Sequence, residues 1–168
     1  MVPVSQMKRE DFLATFAGVY EHSPWVAERA WDQGLTTAED TAKGLHRAMI
    51  DVVETAGREP QMSLLRAHPD LAGKLAARGD LTTDSSAEQA SAGLDRCTQE
   101  EFSTLQNLNN RYKTTFNFPF IVAVRGRNVA DIIENFQTRI DNDIEIEFDE
   151  ARQQVHHIAA LRLNALID

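Results

Sequence analysis

The chain has 168 residues, 42% of them hydrophobic, and its 17 basic and 26 acidic side chains leave a formal charge of −9. That length suits one domain, 1–168, with a core of its own, and the composition is that of a globular rather than a disordered chain. The acidic balance argues against nucleic acid or an anionic membrane as partner, because phosphate contacts need clustered Lys and Arg.

Helical periodicity dominates from the start. An early helix carries Phe12, Leu13, Phe16 and Tyr20. Ser23-Pro24 then reads as an N-cap followed by Pro at the first helical position, and the helix it opens closes at Gly34. Thr37 and Asp40 open a longer helix to about Glu54, with Gly57 beyond it. Residues 59–67 form a short helix that stops before Pro69. The polar stretch Gly79–Ser86 is a loop, and a helix starts near Ser85. Thr98 and Glu101 make a capping box ahead of a helix to about Phe116. Two further helices lie near 128–141 and 147–167. Only FPFIVAVR, residues 118–125, looks strand-like. One strand cannot make a sheet, so the segment is expected to be extended or partly helical. The expected fold class is all-α, a single-domain bundle of about eight or nine mostly antiparallel helices.

No apolar run approaches the ~18 residues of a membrane span. The N-terminal MVPVSQMKREDF lacks the apolar core of a signal peptide, and NALID is not a peroxisomal address. A cytoplasmic location is expected. Cys97 is the single cysteine, which excludes an internal disulfide and a Cys-based metal cluster. Its acidic surroundings, LDRCTQEE, disfavour a thiolate nucleophile. The five histidines show no H-x-x-x-H pair, and no metal site is expected. There is no glycine-rich phosphate loop, nucleophile elbow or dinucleotide fingerprint.

Three positions break the pattern. On the last helix Phe148, Ala151, Val155, Ile158, Ala159 and Leu166 form one apolar stripe, and Arg162 falls within it. A guanidinium there needs an anion, supplied either by a protein carboxylate or by an anionic ligand. His157 falls opposite the stripe and is expected to be solvated. Asn109 lies on the stripe of Phe102, Leu105, Tyr112 and Phe116, where a buried amide usually ties down helix ends or a loop. His68 precedes Pro69 and so sits at a helix break, as a capping or core histidine or as a proton-transfer group facing a cleft. Asp70 is placed to cap the helix that follows, and Glu88 near a helix start has an ordinary role beside the helix dipole.

Together these signals resemble one family. EHSPWVAERAW, LLRAHPDLAGKLA, SSAEQASAGL, LNNRYKTTFNFPFIVAVRGR and EFDEARQQVHHIAALRL, spread from about residue 12 to 166, resemble the 2-oxo-4-hydroxy-4-carboxy-5-ureidoimidazoline (OHCU) decarboxylases, which form S-allantoin during urate breakdown. HPDLA, EQxxAGL and FPF are jointly specific at these separations. The resemblance implies an all-α fold, usually a homodimer, with OHCU as small-molecule substrate and no metal or organic cofactor. It implies a catalytic role for His68, Glu88 and Arg162. It places Pro69, Ser85, Gln89 and the segment Phe120, Ile121, Val122, Ala123 and Val124 around the ligand. The family often has Gly where this chain has Asn117, a difference expected to affect a turn rather than chemistry.

Two other readings stand beside it. His68-Pro69-Asp70 also occurs in J-domain cochaperones, but those carry a basic helix before the tripeptide, and DVVETAGREPQMSLLRA is close to neutral. A member that has lost activity and only binds would not need to retain His68, Glu88 and Arg162.

Overall fold

The computed structural model describes residues 2–167, except for the side chains of Lys74 and Leu75. Among the described residues there are nine α-helices and no β-strand, so the all-α expectation holds. The chain divides into two compact units, Met1–Ala67 with Val155–Asp168, and His68–Gln154. One boundary falls between two helices and the other inside the last helix, so neither shows in the sequence as a linker. No described helix is long and apolar enough to cross a membrane.

The first unit contains α1 (Arg9–Phe16), α2 (Trp25–Asp32), α3 (Ala42–Thr55), α4 (Arg58–Arg66) and the C-terminal part of α9 (Ile144–Ile167). Phe12, Phe16, Leu45, Met49, Leu64 and Leu65 are fully buried here. The Phe12 ring lies 5.1 Å from Phe16 and 5.2 Å from Trp31, within aromatic contact. Two expected helix starts are corrected. The Ser23 hydroxyl donates to the Glu21 carbonyl at 2.9 Å instead of capping α2, whose cap, Pro24, has helical backbone angles. Thr37–Asp40 is a separate 3-10 turn with its own Thr36–Glu39 capping box, and α3 starts one step later behind Thr41. Asp40 is thereby released to accept from the backbone and hydroxyl of Ser5, at 2.7 and 3.0 Å. Gly34 does follow α2 in the left-handed region, at φ +89°.

On α9 the stripe runs through Val155, Ala159 and Leu163, all buried, whereas Leu166 is 38% exposed. The expected stripe drifted at its C-terminal end, where Leu163 takes the inward position. His157 is exposed as anticipated, but its neighbour His156 is buried.

The second unit contains α5 (Lys74–Arg78), α6 (Thr83–Ser91), α7 (Gln99–Phe116), α8 (Val129–Arg139) and the start of α9. Thr82 caps α6 by accepting from the Ser85 N–H, so the loop is shorter than Gly79–Ser86 and the helix starts before Ser85. The Thr98–Glu101 capping box opens α7 as expected, and Asn128 opens α8 in the same way. α7 ends at Asn117, whose φ of +63° puts it in the left-handed region. Asn tolerates that conformation better than most residues, and Gly better still.

Residues 118–124 follow as a buried, non-helical run. Tyr112 is the hub beneath them, with its ring 4.5 Å from Phe116, 5.8 Å from Phe118, 5.4 Å from Phe120 and 5.7 Å from Phe136. Irregular backbone can be buried only if its polar groups find partners. Arg139 Nη1 donates to the Ile121 carbonyl at 2.7 Å, and the Ala123 N–H donates to Gln154 Oε1 at 3.0 Å.

Candidate active site

The site in the second unit starts from the turn after His68. Pro69 is followed by Asp70, Leu71 and Ala72, and their three consecutive carbonyls accept from three side-chain amides. Gln89 Nε2 donates to Asp70 at 3.3 Å, Asn109 Nδ2 to Leu71 at 2.9 Å and Gln106 Nε2 to Ala72 at 2.9 Å. The Ala72 N–H in turn donates to Gln89 Oε1 at 3.0 Å. Asp70 does not serve as a free cap, since its carboxylate takes Lys113 Nζ at 2.7 Å. Asn109 is thus the loop tie that its place on an apolar stripe suggested.

Helix α6 is held against this turn through Gln89. Ser85, Glu88 and Gln89 stand at i, i+3 and i+4, so they share a face of α6. Ser85 and Gln89 are buried and Glu88 is half-buried. His68 and Pro69 are half-buried. The structure therefore gathers the HPDLA turn and the EQ pair of α6 in one neighbourhood. Gln89 has spent one lone pair and one N–H on the turn, leaving one further N–H on its amide.

Phe120, Ile121, Val122, Ala123 and Val124 lie in the same unit, each at most 5% exposed. Their anchor is a buried ion pair. Arg139 reaches Glu147 through Nε (3.1 and 3.2 Å) and Nη2 (2.9 Å), while its guanidinium covers the Phe120 ring at 4.4 Å. Glu147 also accepts from the Tyr112 hydroxyl and from Asn142 Nδ2. Burial, followed by the hydrogen bond and charge of Glu147, pushes the Tyr112 phenol well above its ordinary range, so it remains a donor. The Ala123 N–H is committed to Gln154. Among the described residues the Ile121 and Val122 N–H groups have no acceptor within the chain.

A cavity of about 460 Å³ also lies in this unit, lined by Ala72, Ala77, Ser86, Gln89, Cys97 and Phe102 among others. Gln89 is the one expected site residue on its wall. Cys97 borders it with its thiol pushed up, first by burial and then by Glu101 and Asp95, in line with the acidic surroundings read from the sequence. Among the described residues no cluster of three or more His, Cys, Asp or Glu is placed to hold a metal ion.

Arg162 belongs to the first unit. Its Nη1 lies 2.9 Å from Glu21 Oε2, and both side chains are buried. The protein-carboxylate alternative is therefore realised. Nearby in the same unit, the Tyr20 hydroxyl meets His156 Nδ1 at 2.9 Å, and His156 Nε2 meets Glu54 Oε1 at 3.0 Å. His46 Nε2 donates to the His156 carbonyl at 2.8 Å. Tyr20 is pushed up by burial and by Glu54, so it is a neutral phenol able to donate to Nδ1.

The sequence reading missed Glu21, Gln106, Arg139, Glu147 and His156. One usable signal was present. Gln106, Asn109 and Lys113 stand at i, i+3 and i+7, a polar row along α7 aimed at a single turn.

Comparison with known proteins joins the two units under one description. The OHCU decarboxylase family profile matches residues 5–164. An OHCU decarboxylase from Halalkalicoccus jeotgali is 42% identical over 163 residues, covering 97% of this chain and 89% of that one. The mouse (Mus musculus) OHCU decarboxylase is 33% identical over 167 residues, covering 99% and 92%. A crystal structure of (S)-allantoin synthase matches with a TM-score of 0.78 at 29% identity, covering 98% of this chain and 53% of that one. A crystal structure of OHCU decarboxylase in the presence of (S)-allantoin shares the fold, with a TM-score of 0.68 at 18% identity and coverage of 96% and 99%. With matches running through HPDLA, EQxxAGL and the FPF segment alike, the chain belongs to the OHCU decarboxylase family of urate-degrading carboxy-lyases.

Proposed function

We propose that this chain decarboxylates OHCU to S-allantoin with His68 as its principal proton-transfer group. One observation carries the proposal: the turn that follows His68 is tied at three successive carbonyls to the helices bearing Glu88 and Gln89 and the polar row of α7. An imidazole at the head of a held turn is of the residue type best suited to proton transfer at neutral pH.

The substrate has a carboxylate and a hydroxyl on one ring carbon, and its neighbouring ring carbon is doubly bonded to nitrogen. As the C–CO₂ bond breaks, its electron pair moves into a new ring C=C bond and the C=N pair goes to nitrogen, which takes a proton. The hydroxyl proton then leaves as a carbonyl forms, and the neighbouring carbon is protonated on one face. One CO₂ is lost and one proton is taken up overall. The substrate is its own electron sink, so the protein's work is orientation and proton delivery.

His68 removes the hydroxyl proton or delivers the later one. Glu88 orients the ureido or ring N–H groups. Pro69, Ser85 and the remaining N–H of Gln89 border the ring. The Ile121 and Val122 N–H groups are suited to carbonyl oxygens, and Arg162 holds an anionic or carbonyl oxygen. The chain acts as a homodimer in the cytoplasm.

The test is to generate OHCU freshly from urate with uricase and hydroxyisourate hydrolase, then follow its absorbance and the circular dichroism of the allantoin. Faster decay with one-handed product is expected. His68→Asn should lower kcat by about 10²–10⁴. Unchanged decay to racemic allantoin from folded protein would reject the reading.

A further inference from the structure

We infer that Gln106 and Asn109 of α7, with Gln89 of α6, are positioning residues that set the His68 imidazole by clamping the backbone of the turn after it. The inference rests on the proposed role of His68. Asp70, Leu71 and Ala72 lie two to four residues beyond His68, and every one of their carbonyls is held by an amide N–H. Such a run of three has no register of its own to follow, since it belongs to neither a helix nor a sheet.

Two features show that the turn needs holding. Ala72 sits at φ +50°, a conformation that L residues with a Cβ adopt at a cost. A Cβ on Gly73 would come within 2.7 Å of the Asp70 Cβ, so the chain doubles back closely here. Left alone, this backbone would relax to negative φ and carry the residues before it along. Strain of this kind persists where the surroundings over-determine it.

The Lys113–Asp70 ion pair ties the same turn, with its two charges compensating one another. Positional errors near 1 Å at a reacting group can cost about 10²-fold in rate, so a turn held by four side chains gives the kind of support that proton transfer requires.

Gln106 is the position to probe because it is half-buried, whereas Gln89 and Asn109 are buried. Gln106→Met keeps length but loses the donor, and Gln106→Lys keeps a donor. Steady-state kinetics on OHCU, thermal denaturation and the ¹⁵N resonances of the His68 ring should be recorded for both. Exposed Asn107→Ala serves as control. Gln106→Met should lower kcat about tenfold with KM within about twofold, and move the His68 ring resonances. Gln106→Lys should restore most of kcat. In a His68→Asn background Gln106→Met should cost nothing further, because it acts through His68. Wild-type kcat with unmoved ring resonances in Gln106→Met would overturn the clamp, as would equal losses in the Met and Lys variants. If the unaltered protein fails to turn over OHCU, the proposed function falls, and the ring resonances still decide the clamp.

Discussion

Two arginines are buried in this chain to almost the same degree, Arg139 at 5% and Arg162 at 6% exposure, and each faces a glutamate. Arg139, in the second unit, engages protein through Nε, Nη1 and Nη2, and its flat face covers an aromatic ring. Arg162, in the first unit, meets Glu21 through Nη1, with longer contacts of 3.4 Å to the Gly18 and Val19 carbonyls. Burial of a guanidinium is therefore no sign of a ligand site. Arg139 is an internal strut for the FPF segment, whereas a role toward substrate is proposed for Arg162 alone.

The largest expected separation of the two comes from deleting the strut. Arg139→Met leaves Glu147 buried without its main cation. Removing one partner of such a pair costs about 3–5 kcal/mol, and chemical denaturation should show a loss of that size. Per folded molecule, kcat/KM should change less than stability suggests. A smaller loss would mean that Tyr112 and Asn142 suffice to hold Glu147.

Arg162→Lys comes next. A lysine retains charge toward Glu21 but offers a single point of attachment where the fork offers two. kcat/KM should fall by about tenfold or more, roughly 1.4 kcal/mol of transition-state stabilisation, with the fold retained. Unchanged kcat/KM would place Arg162 in the same structural class as Arg139.

The smallest effect comes from a histidine of the first unit. The first unit contains His46, whose pKa is lowered from 6.5, chiefly by burial and then by His156 and His157, against a raising contribution from the His156 carbonyl. The unfolded chain takes up a proton at 6.5 that folded His46 accepts only at lower pH. Its contribution to stability is complete above that value and is lost as pH falls through 6.5 toward the folded pKa. Urea denaturation between pH 7.5 and 5.5 should give a shallower decline for His46→Gln, which keeps a donor for the His156 carbonyl. An identical slope would assign the acid sensitivity elsewhere.

These comparisons also show where a sequence speaks. Local chemistry was legible: the Thr98–Glu101 capping box, the Gly34 stop and the loop tie at Asn109 each depend on neighbours within one helix or on one apolar stripe. Partners far along the chain were not. Glu21 and Arg162 are separated by 141 positions, and Tyr20 and His156 by 136. Periodicity reports that a polar group faces inward but not what it meets there. Arg139 escaped notice because its helix reads as an ordinary amphipathic one with a basic last turn, which the helix dipole already accounts for. The start of α3 was misplaced because Thr36 and Thr41 are both good caps five residues apart, and the pairing of Asp40 with Ser5, far back along the chain, does not show in the local sequence.

The turn at Ala72 has a consequence for how this sequence can vary. Position 72 admits alanine, glycine or asparagine, and excludes β-branched side chains at a left-handed φ. Position 73 admits glycine, because any Cβ would meet Asp70. Neither residue has a functional group, yet both are as restricted as a catalytic side chain. Substitutions can accumulate over the exposed helix faces while this pair stays narrow, and a library randomised around His68 would recover few active members unless these two positions were left alone.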